Sequence, residues 1–261
     1  MRFRKITFPL LTVVALGGAS LLVPRALLGQ EMGEDFMFQT PKVTLSINLG
    51  YGLRSAGSDL FDELISEFTL DKGDFQAPTV GGGVAFFLNE RMDLAFEFSY
   101  SKSSSWSEYT EFVGTDDFPI EQETTFSQVP LTASFRYFLS DRGRSIGNLS
   151  WIPNTWTPYI GAGGGRIWYE FAQTGEFIDF LDPGCETEGC PIYNDNLLSE
   201  GWGWVGHAFG GVQWAISPQM VISAEGRYSL ADADLDRAAF RGFEPLDLSG
   251  FQATLGFGVR F

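Results

Sequence analysis

The sequence predicts an all-β fold, an eight-stranded antiparallel up-and-down transmembrane β-barrel. Three observations predict it. Segments of about ten residues alternate apolar with polar or Gly residues, aromatic residues of the apolar face gather at strand ends, and short and long connections alternate along the chain. Alternation with a period of two is typical of strands whose two faces meet different surroundings.

Composition narrows the alternatives before any strand is placed. The chain has 261 residues, a net charge of -16, one His and two Cys, and its mean hydropathy is -0.01. A polytopic helical membrane protein needs repeated runs of about 20 apolar residues, and nucleic-acid binding needs a basic surface. The sequence therefore predicts no nucleic-acid partner, no metal site and no cofactor, and leaves a soluble acidic β protein and a membrane barrel as rivals.

The N-terminus predicts export. Residues 1–30 resemble a signal peptide, because a basic start with Arg2 and Arg4 precedes an apolar run over 6–16. Cleavage after Ala19 and cleavage near Gly29 stay open. Residues 31–41 follow as a short periplasmic lead, and the barrel occupies residues 42–261.

Eight strand-like segments follow in order. The last is the clearest, with Phe251, Leu255 and Phe261 on the apolar face and Thr254 opposite. The segments are Val43–Tyr51, Gly83–Leu88, Asp93–Tyr100, Val129–Tyr137, Tyr159–Phe171, Trp202–Ile216, Ile222–Leu230 and Phe251–Phe261. In the two Gly-rich segments, the phase is set by placing Tyr159, Ile167, Tyr169, Trp202, Trp204, Val212 and Trp214 on the apolar face.

Aromatic residues on this face form two predicted rims, as bilayer interfaces select. One rim contains Tyr51, Tyr100, Tyr169, Trp202, Trp204, Tyr228 and Phe251, and the other contains Phe86, Tyr137, Tyr159, Trp214 and Phe261.

Connections alternate in length. Tight turns at 89–91 and 217–219 contrast with long connections at 54–79, 102–122, 172–200 and 231–247. Short periplasmic turns and long surface loops are the asymmetry of an outer-membrane barrel. The connection over 140–156 is an exception, for which we expect a flexible excursion.

Charged residues lie on the opposite face, which we assign to the lumen. An Arg facing lipid at the midplane would cost roughly 2–4 kcal/mol, so the aliphatic face is placed outward. The predicted lumen cluster contains Glu97, Arg136, Glu225, Arg227, Arg260 and His207, with Arg166 also assigned inward. These residues are expected to form a hydrogen-bonded ionic plug, either as a switchable gate or as a polar core that satisfies itself.

Four segments carry a family resemblance: Thr157–Gly165, Gly210–Pro218, Ser223–Ser229 and Gly256–Phe261. Together they resemble the small eight-stranded outer-membrane barrels of Gram-negative envelopes, the OmpA/OmpX/OmpW-like group. The resemblance implies an integral outer-membrane location with the loops extracellular. It also implies that Phe261 is an assembly signal for the barrel-insertion machinery.

The long connections contain most of the 33 Asp and Glu residues. They predict either a solvated repulsive surface, or divalent-cation bridging to lipopolysaccharide or recognition of a basic partner. Cys185 and Cys190 lie close together in one such connection, and in an exported protein this spacing predicts a structural disulfide worth about 2 kcal/mol.

Eight strands leave room inside only for side chains or one small ligand, which excludes a broad pore. We predict a monomeric, non-enzymatic barrel that supports envelope integrity or surface interaction, with outer-membrane lipid and lipopolysaccharide as partners. The alternative is a narrow OmpW-like conduit for ions or small hydrophobic compounds, lined by Phe87, Phe138 and Phe209. A lipid A-modifying enzyme and a soluble ligand-binding barrel are more distant, since His207, the one candidate base, is expected to face inward.

Overall fold

The computed structural model describes residues 36–114, 117–147, 150–180, 182–183, 185, 190–237 and 239–261. The predicted signal peptide over 1–30 and the first part of the predicted lead over 31–41 lie outside these ranges. Over the described ranges, no helix has the length and apolar character needed to cross a membrane.

Eight antiparallel strands close into a barrel. The elements in chain order are β1 (Val43–Arg54), α1 (Asp59–Glu67), β2 (Ala77–Asn89), β3 (Met92–Val113), β4 (Pro119–Phe138), β5 (Gly143–Ile146), β6 (Ser150–Pro153), β7 (Trp156–Ile178), β8 (Ile192–Ala215), β9 (Met220–Ala233), β10 (Leu246–Asp247) and β11 (Gly250–Arg260). The barrel order is β1, β2, β3, β4, β7, β8, β9, β11. Pairing of β11 with β1, from Thr44↔Arg260 to Arg54↔Gly250, closes the ring. The predicted fold class is confirmed.

The outer face of the barrel is an apolar belt. Alternate residues of β1 point outward, and Ile47 and Leu49 are 65% and 63% exposed; Leu255 of β11 and Leu230 of β9 are 65% and 63% exposed. A protein in water does not usually leave so many neighbouring aliphatic side chains exposed. The belt therefore has the character of a surface that faces hydrocarbon, as in transmembrane barrels.

Aromatic residues border this belt at both ends. Tyr51, Tyr100, Trp202, Trp204, Tyr228 and Phe251 are exposed at the end with the long connections, and Phe86, Tyr137, Trp214 and Phe261 at the end with the short turns. We call these the long-loop end and the short-turn end. Two predicted members, Tyr159 and Tyr169, do not belong to the rims.

The predicted phase of β7 is wrong. Tyr159, Ile167 and Tyr169 face inward and are 2%, 3% and 0% exposed, whereas Arg166 lies on the outer face and is exposed. The error came from the glycine-rich run over 161–165, where side chains give no alternation to follow. Space explains the true phase, because a Cβ at Gly161 would lie 2.3 Å from the ring of Phe209, its inward-facing register partner on β8.

At the long-loop end, the barrel continues as a head with its own apolar core. Strands β3, β4, β7 and β8 extend well beyond the aromatic rim, so the predicted connections over 102–122 and 172–200 are largely strand. Helix α1 turns Leu60, Phe61 and Leu64 into this core. The aromatic members around them include Phe68, Phe75, Phe126, Tyr169, Phe171 and Phe240.

At the short-turn end, the described residues of the connection over 140–156 form a hairpin and not the flexible excursion that the sequence suggested. Strands β5 and β6 pair with each other, and Trp151 of β6 is fully buried. Its backbone exchanges hydrogen bonds of 2.9 and 2.8 Å with Met37. The hairpin, tied to the residues before β1, forms a floor beneath the lumen.

Candidate functional site

Four charged side chains meet in the middle of the lumen. Glu97 of β3 accepts hydrogen bonds from Arg136 of β4 and from Arg227 of β9, the latter at 2.7 Å. Arg227 also bonds Glu225 at 2.8 Å. The side chains of Glu97 and Glu225 are 8% exposed, and those of Arg136 and Arg227 are 10% and 14% exposed. The network has two positive and two negative groups, so it balances its own charge.

Hydroxyl and imidazole groups extend this network. Ser134 Oγ donates to Glu97 Oε2 at 3.1 Å and lies 2.9 Å from His207 Nε2. Tyr159 Oη donates to Glu225 Oε2 at 3.0 Å. Because a serine hydroxyl has one proton, which goes to Glu97, His207 donates through Nε2 to the serine oxygen. Gly163 leaves the space for this ring, since a Cβ there would lie 2.9 Å from Nε2.

Inward aromatic rings pack on the arginines of the network. The Arg227 guanidinium lies 4.8 Å from the Phe209 ring, and the Arg136 guanidinium lies 5.7 Å from the Tyr159 ring. Phe138 contacts Tyr159 at 5.4 Å between ring centroids. Cation–π contacts of this kind strengthen when water is excluded. The inward aromatic side chains therefore fill the lumen and do not line an open groove.

The floor of the lumen contains a second basic site. Arg142, in the connection before β5, bonds Asp93 Oδ2 at 3.0 Å and stacks between Phe87 and Phe138 at 3.9 and 4.2 Å. Burial lowers the pKa of Arg142 to about 10, which leaves it charged at neutral pH. Arg260 faces inward at the same level and lies 5.3 Å from the Trp151 ring, so the structure places it apart from the central network.

Another arginine, Arg54, closes the upper lumen. Arg54, at the end of β1, is 8% exposed. It donates to Phe75 O at 2.7 Å and to Ser101 and Ser103 at 2.9 Å. It also stacks on Phe126 at 4.3 Å. The inward positions of Arg54 and Arg142 were not predicted from the sequence. Gly50 and Gly52 lie on the inward face of β1, and continuing this alternation by two residues predicts that Arg54 faces inward. No pattern in the sequence predicts the position of Arg142.

Little space remains between these layers. A cavity of about 60 Å³ lies beside the central network, lined by Asn48, Glu97, His207 and Glu225 among others. It is large enough for a few water molecules and too small for a solute of drug size. The lumen is therefore packed at the floor, in the middle and at the head.

Comparisons with known proteins found similarity in structure only. No protein-family model and no curated protein matches the chain. The chain is similar to Neisserial surface protein A, at 11% identity, 84% coverage of this chain and 96% of that chain, and a TM-score of 0.43. It is similar to outer membrane protein OprG from Pseudomonas aeruginosa, with 12% identity, 86% coverage of this chain, 98% coverage of that chain and a TM-score of 0.43. It is similar to Outer Membrane Protein W of E. coli, with 15% identity, 86% coverage of this chain, 100% coverage of that chain and a TM-score of 0.38. At these TM-scores the fold assignment rests on the strand pairing and not on the similarities.

The remaining predicted residues are placed as follows. Cys185 and Cys190 form the predicted disulfide. Phe261 is 41% exposed, and its amide donates to Val43 O at 2.8 Å. Among the described residues, no cluster of three or more His, Cys, Asp or Glu side chains could hold a metal ion.

Proposed function

We propose that this chain is an integral outer-membrane protein whose closed barrel supports envelope integrity and presents an acidic head outside the cell. The apolar belt and the N-terminal segment that resembles a signal peptide support the location. The long-loop end faces outward in this proposal, because surface loops are long and periplasmic turns short. The barrel acts as a monomer, and Phe261 serves the insertion machinery during assembly.

Closure of the lumen is the observation that supports a non-conducting role. A solute would have to displace the hairpin at Trp151, the ion network around Glu97 and the apolar packing around Phe61. Each of these is nearly or fully buried and packed against other elements. Removing one partner of a buried ion pair typically costs about 3–5 kcal/mol, because the remaining charge stays buried without its partner.

Conductance in a planar lipid bilayer tests this role. We expect no channel steps from the refolded wild-type protein, and none from Glu225→Ala, because the floor and the head remain closed when the middle layer is weakened. Heat-modifiable migration on gels confirms that each sample is folded. Reproducible steps from folded wild type, or from folded Glu225→Ala, would contradict the closed barrel and support a gate.

The conduit for small hydrophobic compounds remains the second candidate, but the contacts do not favour it. Phe87 and Phe138 pack on Arg142, and Phe209 packs on Arg227. A conduit would require these stacked side chains to separate. Liposome swelling with solutes of graded size should show no uptake above protein-free vesicles.

We also propose that the barrel is not an enzyme. Ser134 and His207 are within hydrogen-bond distance, but the serine proton goes to Glu97 and His207 donates, which is the reverse of an activated nucleophile. A catalytic carboxylate would orient the imidazole, whereas His207 Nδ1 is buried and unpartnered. Incubation with lipid A should release no fatty acid.

The acidic head is the surface that we propose for interaction. Its carboxylates suit lipopolysaccharide phosphates bridged by divalent cations, or a basic partner. Calorimetric titration of the folded protein with Ca²⁺ tests the bridging role, which predicts heat of binding; no heat would leave a basic partner as the remaining form of this proposal.

A further inference from the structure

Arg166 occupies an unusual place on the outer face of the barrel. It lies near the long-loop rim, opposite Leu131 of β4 and Trp204 of β8. These two neighbours are 45% and 72% exposed and belong to the apolar belt and its rim. A cation on a lipid-facing surface is costly unless it finds a partner or reaches the interface.

The guanidinium of Arg166 is held in a fixed orientation. It stacks on the Trp204 ring at 4.6 Å, and its Nε donates to Gly203 O at 3.1 Å. Within the described part of the chain, neither of its two terminal nitrogens has a hydrogen-bond or ion-pair partner. A planar guanidinium with two free NH2 groups matches the geometry of a phosphate.

On the outer face, an apolar groove begins at Arg166 and crosses β4, β3 and β2 to β1. Its volume is about 950 Å³, and its lining includes Phe96, Ala133, Gly164 and Trp202. The groove is open to the surroundings of the belt. A cation at one end of an apolar groove is complementary to a lipid that carries a phosphate at the head of its acyl chains.

We propose that Arg166, Trp204 and this groove bind one molecule of lipid A, the phosphorylated glycolipid that anchors lipopolysaccharide. One phosphate lies on the free nitrogens of Arg166, and one acyl chain lies along Ala133 and Gly164. The inference rests on the proposed outer-membrane location, with this rim in the outer leaflet. This site lies on the lipid-facing surface and is separate from the acidic head.

Two carboxylates near the site determine the conditions of binding. Glu170 of β7 and Glu200 of β8 are directly opposite each other, four residue pairs beyond the pair of Arg166 and Trp204. Like charges in this arrangement repel each other and would repel a phosphate. Lipid A should therefore bind together with its divalent counter-ion, and the experiment needs Mg²⁺.

Native mass spectrometry of the full chain refolded in detergent, with lipid A and Mg²⁺, tests the site. We expect wild type to retain one lipid A and Arg166→Gln to need at least about tenfold more lipid for the same occupancy, since it loses charge-assisted hydrogen bonds. Lys102→Gln is the matched control, because Lys102 is another exposed cation of the long-loop half. It should behave as wild type.

Two further arms make the assignment falsifiable. Ala133→Phe should fill the groove and weaken lipid A binding while the barrel keeps its heat-modifiable migration. Phosphatidylglycerol should be retained less well than lipid A. Equal loss in Arg166→Gln and Lys102→Gln, or equal retention of the two lipids, would overturn the proposal. If wild type fractionates with the outer membrane but retains no lipid A, this inference fails and the proposed location stands.

Discussion

The buried charged side chains of this barrel stabilise it mainly by forming ion pairs with one another. Glu97 bonds two guanidinium groups, and its loss would leave Arg136 and Arg227 sharing Glu225. The buried Nε of Arg136 already has no partner. Such a site tolerates little further loss, because an unpaired buried charge is far more costly than the pair is stabilising.

We therefore expect Glu97→Gln to lower the free energy of unfolding by about 3–5 kcal/mol. Denaturant unfolding of the refolded protein in detergent or liposomes measures this change. Asp141→Asn is the control, since Asp141 forms an exposed ion pair with Arg91. The free energy of unfolding of this variant should equal that of wild type within experimental error. Equal stability of Glu97→Gln and wild type would mean that the network does not hold the lumen together.

Residue-scale prediction from the sequence succeeded where alternation was clear and failed where glycine interrupted it. Glu97, Arg136, Glu225 and Arg227 lie on strands with regular aliphatic partners, and their inward side could be predicted. Arg166 follows directly after three glycines, so its phase could not be determined from its neighbours. The assumption that arginine avoids lipid then chose the wrong face, because it ignored how stacking on Trp204 at a rim reduces the cost.

At the scale of elements, α1 and the hairpin of β5 and β6 close the two ends. Phe61 of α1 is fully buried and lies 4.7, 5.7 and 6.1 Å from the ring centroids of Phe75, Phe126 and Phe171. The sequence predicted long connections at these places but neither element. A nine-residue helix and two four-residue strands are too short for periodicity to identify, and tertiary contacts stabilise them.

Phe61→Ala should remove about 3–5 kcal/mol from the packing of the head. We expect faster proteolysis of the connection around α1, while the strands within the apolar belt stay protected in liposomes. Trp106→Ala is the matched control, because Trp106 is 70% exposed and contributes little to this core. Unchanged cleavage in Phe61→Ala would show that α1 is not what seals the long-loop end.

At the scale of the whole molecule, two different cores lie in one barrel. The belt-level lumen is polar and ion-paired, whereas the head beyond the aromatic rim encloses an apolar core like that of a soluble protein. This division is expected if lipid surrounds the belt and water surrounds the head. A strand that turns its apolar side chains toward lipid has polar side chains left for the lumen, whereas a strand that turns polar side chains toward water has apolar side chains left for a core. Strand number and order were predictable from the sequence because one face of each strand must suit lipid. The length by which the strands extend into the head could not be predicted, because polar residues occupy the outward positions of these strands and the apolar lipid-facing pattern ends at the rim.

The assignment of side chains to the lipid-facing and the inward face of each strand can be measured with spin labels. Labels placed singly at Phe96, Leu255 and Thr254 of the protein in liposomes should report two environments. Phe96 and Leu255 should be accessible to oxygen dissolved in lipid and inaccessible to a water-soluble nickel complex, while Thr254, on the inward face, should show low oxygen accessibility. Collision of the Thr254 label with lipid-dissolved oxygen, together with collision of the Phe96 and Leu255 labels with the nickel complex, would contradict this orientation of the strands.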